Sequence, residues 1–382
     1  MKEKTFLMIP GPTPVPQSVL QASARHPIGH RSPEFSQILR EVFLDLKEIF
    51  QTKNPVFVYA ASGTGAMCGA LENVLNPGDR VLCLVIGNFG ERWVKIAKSR
   101  GAMVEVLQAD PGEVIHPKDL ESMLQKFPDT KAVTLTHSET STGAANDVKS
   151  LCAIIQKSGA LAIVDGITSL CAMPCKMDEW GIDILVSGSQ KGFMLPPGLA
   201  FLSASKKAME AREKCLYPSF YFDFLAHQKA LEKNTTPYTP AVNLVFGLHE
   251  ALKLLKEEGI EKINARHKRF ALSLRQAIRA MGLELFVKED KNASFAITSI
   301  LPPSGIDVPS IRRVLKEDFD VLVANGQNAL ENKIFRIGTL GYVCERDLIS
   351  AVAALEATLY KLGHSFALGS GVKTLIQNLK NT

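Results

Sequence analysis

The sequence has no apolar run that reaches the eighteen or so residues of a membrane span. Its start, MKEKTFLMIPGP, lacks the long apolar core of a signal peptide, so a cytoplasmic location is expected. Clustered basic charge is missing too. The 44 Lys and Arg against 39 Asp and Glu leave a net charge of +5 that is dispersed along the chain, which argues against a nucleic-acid partner. The seven cysteines are an odd number and none forms a Cys-x-x-Cys pair, so reduced thiols are expected rather than a disulfide framework. Cys171 and Cys175, in CAMPC, come closest, but no His or second pair stands near to complete a metal site. Both read as small core or loop residues. Internal repeats, low-complexity tracts, a Walker phosphate loop and a GxGxxG dinucleotide fingerprint are all absent.

What is present is the balance of a soluble globular protein: 382 residues, 46% hydrophobic and 22% charged, enough for a large core and a smaller second unit. From about residue 55, short β-branched runs alternate with helical patterns. VFVYA, RVLCLVIG, MVEVLQ, AVTLTH and LAIVD read as strands, separated by helices through GAMCGALENVL, ERWVKIAKSRG, LESMLQKF and VKSLCAIIQKSG. This order, with nearly continuous apolar strands, predicts an α/β fold with a parallel or mostly parallel sheet between helices. Ligands on such sheets bind beyond the carboxyl ends of the strands. The start IPGPTPVP predicts an extended arm, and an amphipathic pattern over roughly 241–282 predicts a long helical bridge to a second unit. That unit holds SFAITSIL, PSIRRVLKEDF, VLVAN, KIFRIGTLG and the helix RDLISAVAALEATLYKLG. The tail HSFALGSGVKTLIQNLKNT says least.

Within ILVSGSQKGFMLPPG an apparently buried strand runs into Lys191. Lysine is almost never fully buried without a partner, so its amine either turns to solvent or is held in a cleft for chemistry. Upstream, Asp165 ends the apolar strand LAIVD. Alone it reads as a helix cap. Together, a lysine made nucleophilic by desolvation and a carboxylate suited to a pyridinium nitrogen are what pyridoxal phosphate chemistry requires of its protein. A phosphate needs a cradle, and ASGTGAM supplies one: Ser62, Gly63 and Thr64 would present backbone N–H groups and hydroxyls at a helix N-terminus.

The ordered set PGPTPVP, IGHRS, ASGTGAM, NPGD, THSETSTGA, IVDGITSL, GIDILVSGSQKGFMLPPG and FRIGTLG resembles the class V aminotransferases of pyridoxal-phosphate fold type I, especially alanine–glyoxylate and serine–pyruvate aminotransferases. The resemblance runs over nearly the whole chain. The chain also resembles those labelled a small subunit of a soluble hydrogenase, though no motif suits a hydrogenase metal cluster. What the family resemblance implies is a pyridoxal 5'-phosphate enzyme with these roles. Lys191 would bind the cofactor covalently, Asp165 would pair with the pyridine nitrogen, and Gln190 would join Ser62, Gly63 and Thr64 at the phosphate. Thr140, or its neighbour Ser141, would stand near the phenolic oxygen. Ile167 would pack on one ring face and Phe89 on the other, with Trp93 as the substitute. Arg336 would grip the substrate carboxylate and Gly29 would line the substrate mouth, while His30 and Arg31 read as solvated loop residues. Thr239 and Thr236 would reach the phosphate from the other subunit of a homodimer.

The resemblance further implies an arm over 1–20, a large cofactor-binding domain over 21–258 and a small C-terminal α+β domain over 259–382. The expected reaction is transamination of alanine or serine with glyoxylate or pyruvate. The alternatives are a 2-aminoethylphosphonate–pyruvate aminotransferase and a non-catalytic subunit that retains the fold. A cysteine desulfurase would need a nucleophilic cysteine in a His-rich loop after the lysine. Cys215 and Cys344, the later cysteines, lack that setting.

Overall fold

The structure, a computed structural model, describes residues 5–381, so the first four residues of the expected arm and Thr382 of the tail lie outside the described residues. The chain enters through a short strand, β1 (Phe6–Leu7), and helices α1 (Gln17–Ser23) and α2 (Pro33–Phe50). Ser32 starts α2 by accepting the Phe35 N–H, with Pro33 preset at the first helical position. The alternation follows as β2 (Val56–Tyr59), α3 (Gly63–Glu72), β3 (Arg80–Val85), α4 (Asn88–Ser99), β4 (Met103–Gln108), α5 (Pro117–Lys126), β5 (Thr130–Thr136), α6 (Val148–Ser158) and β6 (Leu161–Asp165). It closes with β7 (Ile184–Gly188), β8 (Ala200–Ala204), α7 (Lys206–Glu213) and α8 (Phe224–Leu231).

Strands β2 to β8 form one sheet in the order β2-β8-β7-β6-β5-β3-β4. It is mostly parallel: β8 alone runs against its neighbours β2 and β7. The central strands β6 and β7 are buried throughout, while the edge strand β4 is partly exposed, which is why the central sequences read as unbroken apolar runs. Alternate side chains feed two cores. Leu82, Leu84, Val133 and Leu185 face one side of the sheet, and Val81, Cys83, Ile163 and Val186 the other.

Two helices, α9 (Val242–Glu258) and α10 (Ile260–Ala280), replace the single helical bridge expected over 241–282. The break is Gly259, at φ +83°, a backbone conformation that favours glycine. The rest is β9 (Ile297–Ile300), α11 (Val308–Phe319), β10 (Val321–Leu322), β11 (Ala324–Asn325), β12 (Phe335–Gly338), α12 (Glu345–Lys361) and α13 (Ser370–Asn381). VLVAN thus contributes two strands. It bends at Val323, so that β10 pairs with β1 and β11 joins β12 and β9. The arm is extended only in part, for α1 begins at Gln17. A separate core gathers Met8 with Phe270, Leu274, Leu348, Val352, Leu355, Leu375 and Leu379. The tail therefore packs as helix α13, and the buried Glu356 carboxylate accepts the N–H groups of Gly369, Gly371 and Val372 around its first turn. Among the described residues no helix is long and apolar enough to cross a membrane.

Candidate active site

Strand β7 stops at Gly188, and Ser189 fastens the following turn to the proline-stiffened loop. Its hydroxyl donates to Pro196 O at 2.7 Å and accepts the Leu199 N–H at 3.2 Å. Lys191 comes two residues later and is only 8% exposed, which removes the solvated reading of this lysine. Its Nζ donates to the Pro10 carbonyl at 2.7 Å, and Thr13 ties the arm to the same turn through Lys191 O at 3.0 Å. The arm passes so close that a Cβ on Gly11 would lie 2.7 Å from Nζ. Burial, reinforced by the Arg336 guanidinium and opposed by Asp165, pushes the Lys191 amine down to about 8.

Asp165 ends β6, the strand beside β7, and is 3% exposed. Its Oδ1 accepts the Ile167 N–H at 2.8 Å, and among the described residues no donor reaches Oδ2. Burial pushes the carboxyl up to about 7 despite that hydrogen bond; Glu139 adds to the rise, and Arg92 and Lys191 oppose it. Ile167 lies against the start of α3, where a Cβ on Gly63 would come within 2.6 Å of Ile167 Cδ1. Glycine is required there for the close approach. Ser62 is the N-cap of α3 and its side chain caps nothing, so the first amides of the helix and this hydroxyl are left for another acceptor or donor. Gln190 leans over the same place: a Cβ on Gly188 would lie 3.1 Å from Gln190 Oε1 and 3.6 Å from Gly63 Cα. That buried Oε1 has no partner among the described residues.

Thr140 is buried and its hydroxyl pairs with Thr168 at 2.8 Å, whereas the Ser141 hydroxyl is committed to Glu139 at 2.6 Å. Phe89, in the first turn of α4, is half-buried beneath Arg92, whose guanidinium stands 4.6 Å from the ring centroid and donates to Thr64 Oγ1 at 2.9 Å. Trp93 instead belongs to the core and is fully buried. Arg336, on β12, is held from both units: Nε and Nη2 donate to Asn325 O, and Nη1 donates to Thr140 O at 2.6 Å. Three of its five N–H donors are used, leaving one on each terminal nitrogen. Burial lowers its guanidinium to about 10.

Three expected residues stand apart from this group within one chain. Gly29 is exposed on the turn before α2. Thr239 is exposed, and the buried Thr236 spends its hydroxyl on Tyr238 O at 2.7 Å. Arg31 is more than a solvated residue, because it braces this loop through Thr235 Oγ1 at 2.7 Å and Thr236 O at 2.8 Å. The sequence did not point to Pro10, Glu139, Arg92 or Thr168. Pro10 acts through a backbone carbonyl, which no side-chain pattern reveals. Glu139 sits inside SETSTG, where a buried acid among small hydroxyl residues was the available signal.

The model of the family described as aminotransferase class-V matches residues 5–347. The chain belongs to that family. Similar proteins cover this class-V aminotransferase almost end to end. A "Soluble hydrogenase, small subunit" of Synechococcus sp. is 46% identical, over 97% of both chains. A serine–glyoxylate aminotransferase of Arabidopsis thaliana is 36% identical over 96% of this aminotransferase and 93% of its own length. The crystal structure of ureidoglycine–glyoxylate aminotransferase from Bacillus subtilis superposes with a TM-score of 0.94 at 30% identity, covering 100% of this aminotransferase and 99% of that chain. Among the described residues of this aminotransferase, no three His, Cys, Asp or Glu side chains gather into a group that could hold a metal ion.

Proposed function

We propose that this aminotransferase uses pyridoxal 5'-phosphate to move the amino group of a small α-amino acid, serine or alanine, to glyoxylate, with pyruvate as the second acceptor. The observation that carries the reading is the buried Lys191 amine, held near 8 beside Arg336, on the strand-end next to the buried Asp165. The residues fit the cofactor: the Gln190 amide has a buried Oε1 without a partner, so no bond among the described residues stops it from turning its NH2 donors toward a phosphate, and Asp165 keeps Oδ2 able to accept from a ring N–H.

When bound, pyridoxal 5'-phosphate supplies an aldehyde that condenses with amines and a ring that accepts electrons. Lys191 would hold it covalently, with Ser62, Gly63, Thr64 and Gln190 around the phosphate, Thr140 near the phenolic oxygen, and Ile167 and Phe89 on the two ring faces. Asp165 Oδ2 would hold the proton of the ring nitrogen. Arg336 offers its two remaining donors to the substrate α-carboxylate as a fork, which orients the Cα–H bond. Lys191 Nζ would take the proton from the substrate Cα and deliver it to the carbon that receives the transferred amine, rather than back to Cα. A pKa near 8 leaves part of the amine unprotonated at neutral pH, as a general base needs.

Gly29 would line the mouth, and Thr236 and Thr239 would act across a homodimer in the cytoplasm. The exposed Leu216, Tyr217 and Phe220 support the dimer. They form an apolar stretch beside that loop, where Tyr221 stacks on Tyr238 at 5.4 Å. Neither earlier alternative is favoured: both relatives named for a transamination above use glyoxylate, and family membership tells against a non-catalytic subunit. Donor profiling tests the reading. Serine, alanine, glutamate and 2-aminoethylphosphonate are each supplied with glyoxylate and with pyruvate, and kcat/KM is compared. Serine or alanine with glyoxylate is expected to lead. Glutamate is expected to trail by about a hundredfold or more, because an unpaired charge in a desolvated pocket costs several kcal/mol. A lead by 2-aminoethylphosphonate or parity for glutamate would overturn the choice of substrate.

A further inference from the structure

Glu139 is fully buried, and none of the steps above uses it. Its Oε2 accepts the N–H groups of Phe89 at 3.0 Å and Gly90 at 3.2 Å. Its Oε1 accepts the N–H and the hydroxyl of Ser141 at 3.0 and 2.6 Å, and the same hydroxyl accepts the Asn88 N–H at 3.0 Å. Gly87 is the N-cap of helix α4, which therefore has no side-chain cap of its own. Glu139 and Ser141 therefore supply the acceptors for three successive N–H groups of its first turn, and the carboxylate lies at the positive end of the helix dipole. The fit is close enough that a Cβ on Gly87 would lie 2.5 Å from Ser141 Oγ and 2.6 Å from Glu139 Cγ.

We propose that Glu139 is a positioning residue for the cofactor ring: by fixing the first turn of α4 it sets where Phe89 stands. This rests on the reading of Phe89 as a ring-stacking residue. Thr140, between Glu139 and Ser141, supplies the carbonyl that holds Arg336, so one tripeptide aligns the ring face with the carboxylate grip. A glutamine at 139 keeps the size but presents one acceptor oxygen and an NH2 group. Whichever way it turns, donors meet donors at either the α4 amides or Ser141.

The test uses the cofactor-free protein and 4'-deoxypyridoxine 5'-phosphate, which has the ring and phosphate but no aldehyde, so that its affinity does not depend on the Lys191 amine. Binding is followed by tryptophan fluorescence, to which Trp93 on α4 contributes. Phe89→Ala should weaken the analogue about tenfold, the scale of one lost ring contact. Glu139→Gln should weaken it similarly, the double variant should be no weaker than the worse single one, and inorganic phosphate should compete as it does in the parent protein. A Glu139→Gln protein that binds the analogue normally, or losses that simply multiply, would overturn the proposal while leaving Phe89 in its role. Equal loss of analogue and inorganic phosphate would also overturn it, since that marks general damage. An unaffected Phe89→Ala protein would instead refute the stacking role and this inference with it. Should Glu139→Gln fail to fold, Ser141→Ala, which leaves the Phe89 contact and removes one brace of the carboxylate, must show the same non-additivity with a smaller loss; multiplying losses there count against the proposal.

Discussion

Replacing Asp165 with asparagine removes a carboxyl whose pKa the fold raises from 3.8 to about 7, first by burial and then through the nearby Glu139. Between those two values the folded protein keeps a proton that the unfolded chain has released, so this group's contribution to stability falls as pH rises through the window and is constant outside it. Each pH step is worth about 1.4 kcal/mol, which makes the whole fall about 4 kcal/mol. The parent profile is a composite. His137, His227 and His267 are buried with pKa values pushed down to about 4, 4 and 3, so they favour folding increasingly as pH rises toward 6.5. Subtracting the parent curve from the Asp165→Asn curve cancels them.

The assay is urea unfolding of both cofactor-free proteins at one protein concentration, across that window and one pH step beyond each end. The asparagine protein should gain on the parent steadily up to about pH 7 and no further. Parallel curves would refute the reasoning, because they would mean that Asp165 titrates as an ordinary surface carboxyl. Adding pyridoxal 5'-phosphate should reverse the advantage, since the ionised carboxylate then has a positive partner in the ring nitrogen and the amide does not.

On the proposed role of Arg336, in which both halves of the cycle would dock a carboxylate on the same guanidinium, Arg336→Ala should raise KM for the amino acid and for the keto acid together, by about tenfold or more; Arg336→Lys should rescue only partly, keeping charge without the fork. A rise for one substrate alone would refute the shared grip. Mixing Lys191→Ala chains with Thr239→Ala chains should yield more activity than either alone, since a threonine acting across the interface leaves one site of the mixed dimer intact. No gain after demonstrated subunit exchange would place Thr239 outside the partner's site.

The parts of the fold that could be read ahead are those in which one local pattern decides the outcome. LAIVD and ILVSG are buried on both faces, so their apolar runs announce central strands, and the acid and the lysine that follow them stand out. The reversed direction of β8 left no such mark, because AFLSA is apolar whichever way it runs. The division of VLVAN between two sheets left no mark either, because it is a matter of partners rather than propensity. At the site, Lys191, Asp165 and Arg336 were legible from side-chain chemistry and family pattern. The contacts that hold them were not: Pro10 meets Lys191 across 181 positions and Thr140 meets Arg336 across 196, each through a backbone carbonyl that every residue possesses. Glu139 was overlooked for a related reason, since its role is to receive the amides of a helix fifty residues upstream.

The core that joins Met8 to Leu375 and Leu379 has a consequence for how the protein is made. Residues almost as far apart as the described chain allows must be present together before that cluster can close, and contacts of such separation are slow to form. On the ribosome, the sheet of β2 to β8 can assemble while later residues are still being added. The second cluster is complete only once α13 has been added, and Met8 has no strand partner until β10 is made. Because the arm that carries Met8 also brings Pro10 to Lys191, the surroundings of that amine are finished only after β10 and β12 have been made to hold the arm, and a nascent chain with a finished sheet still lacks them.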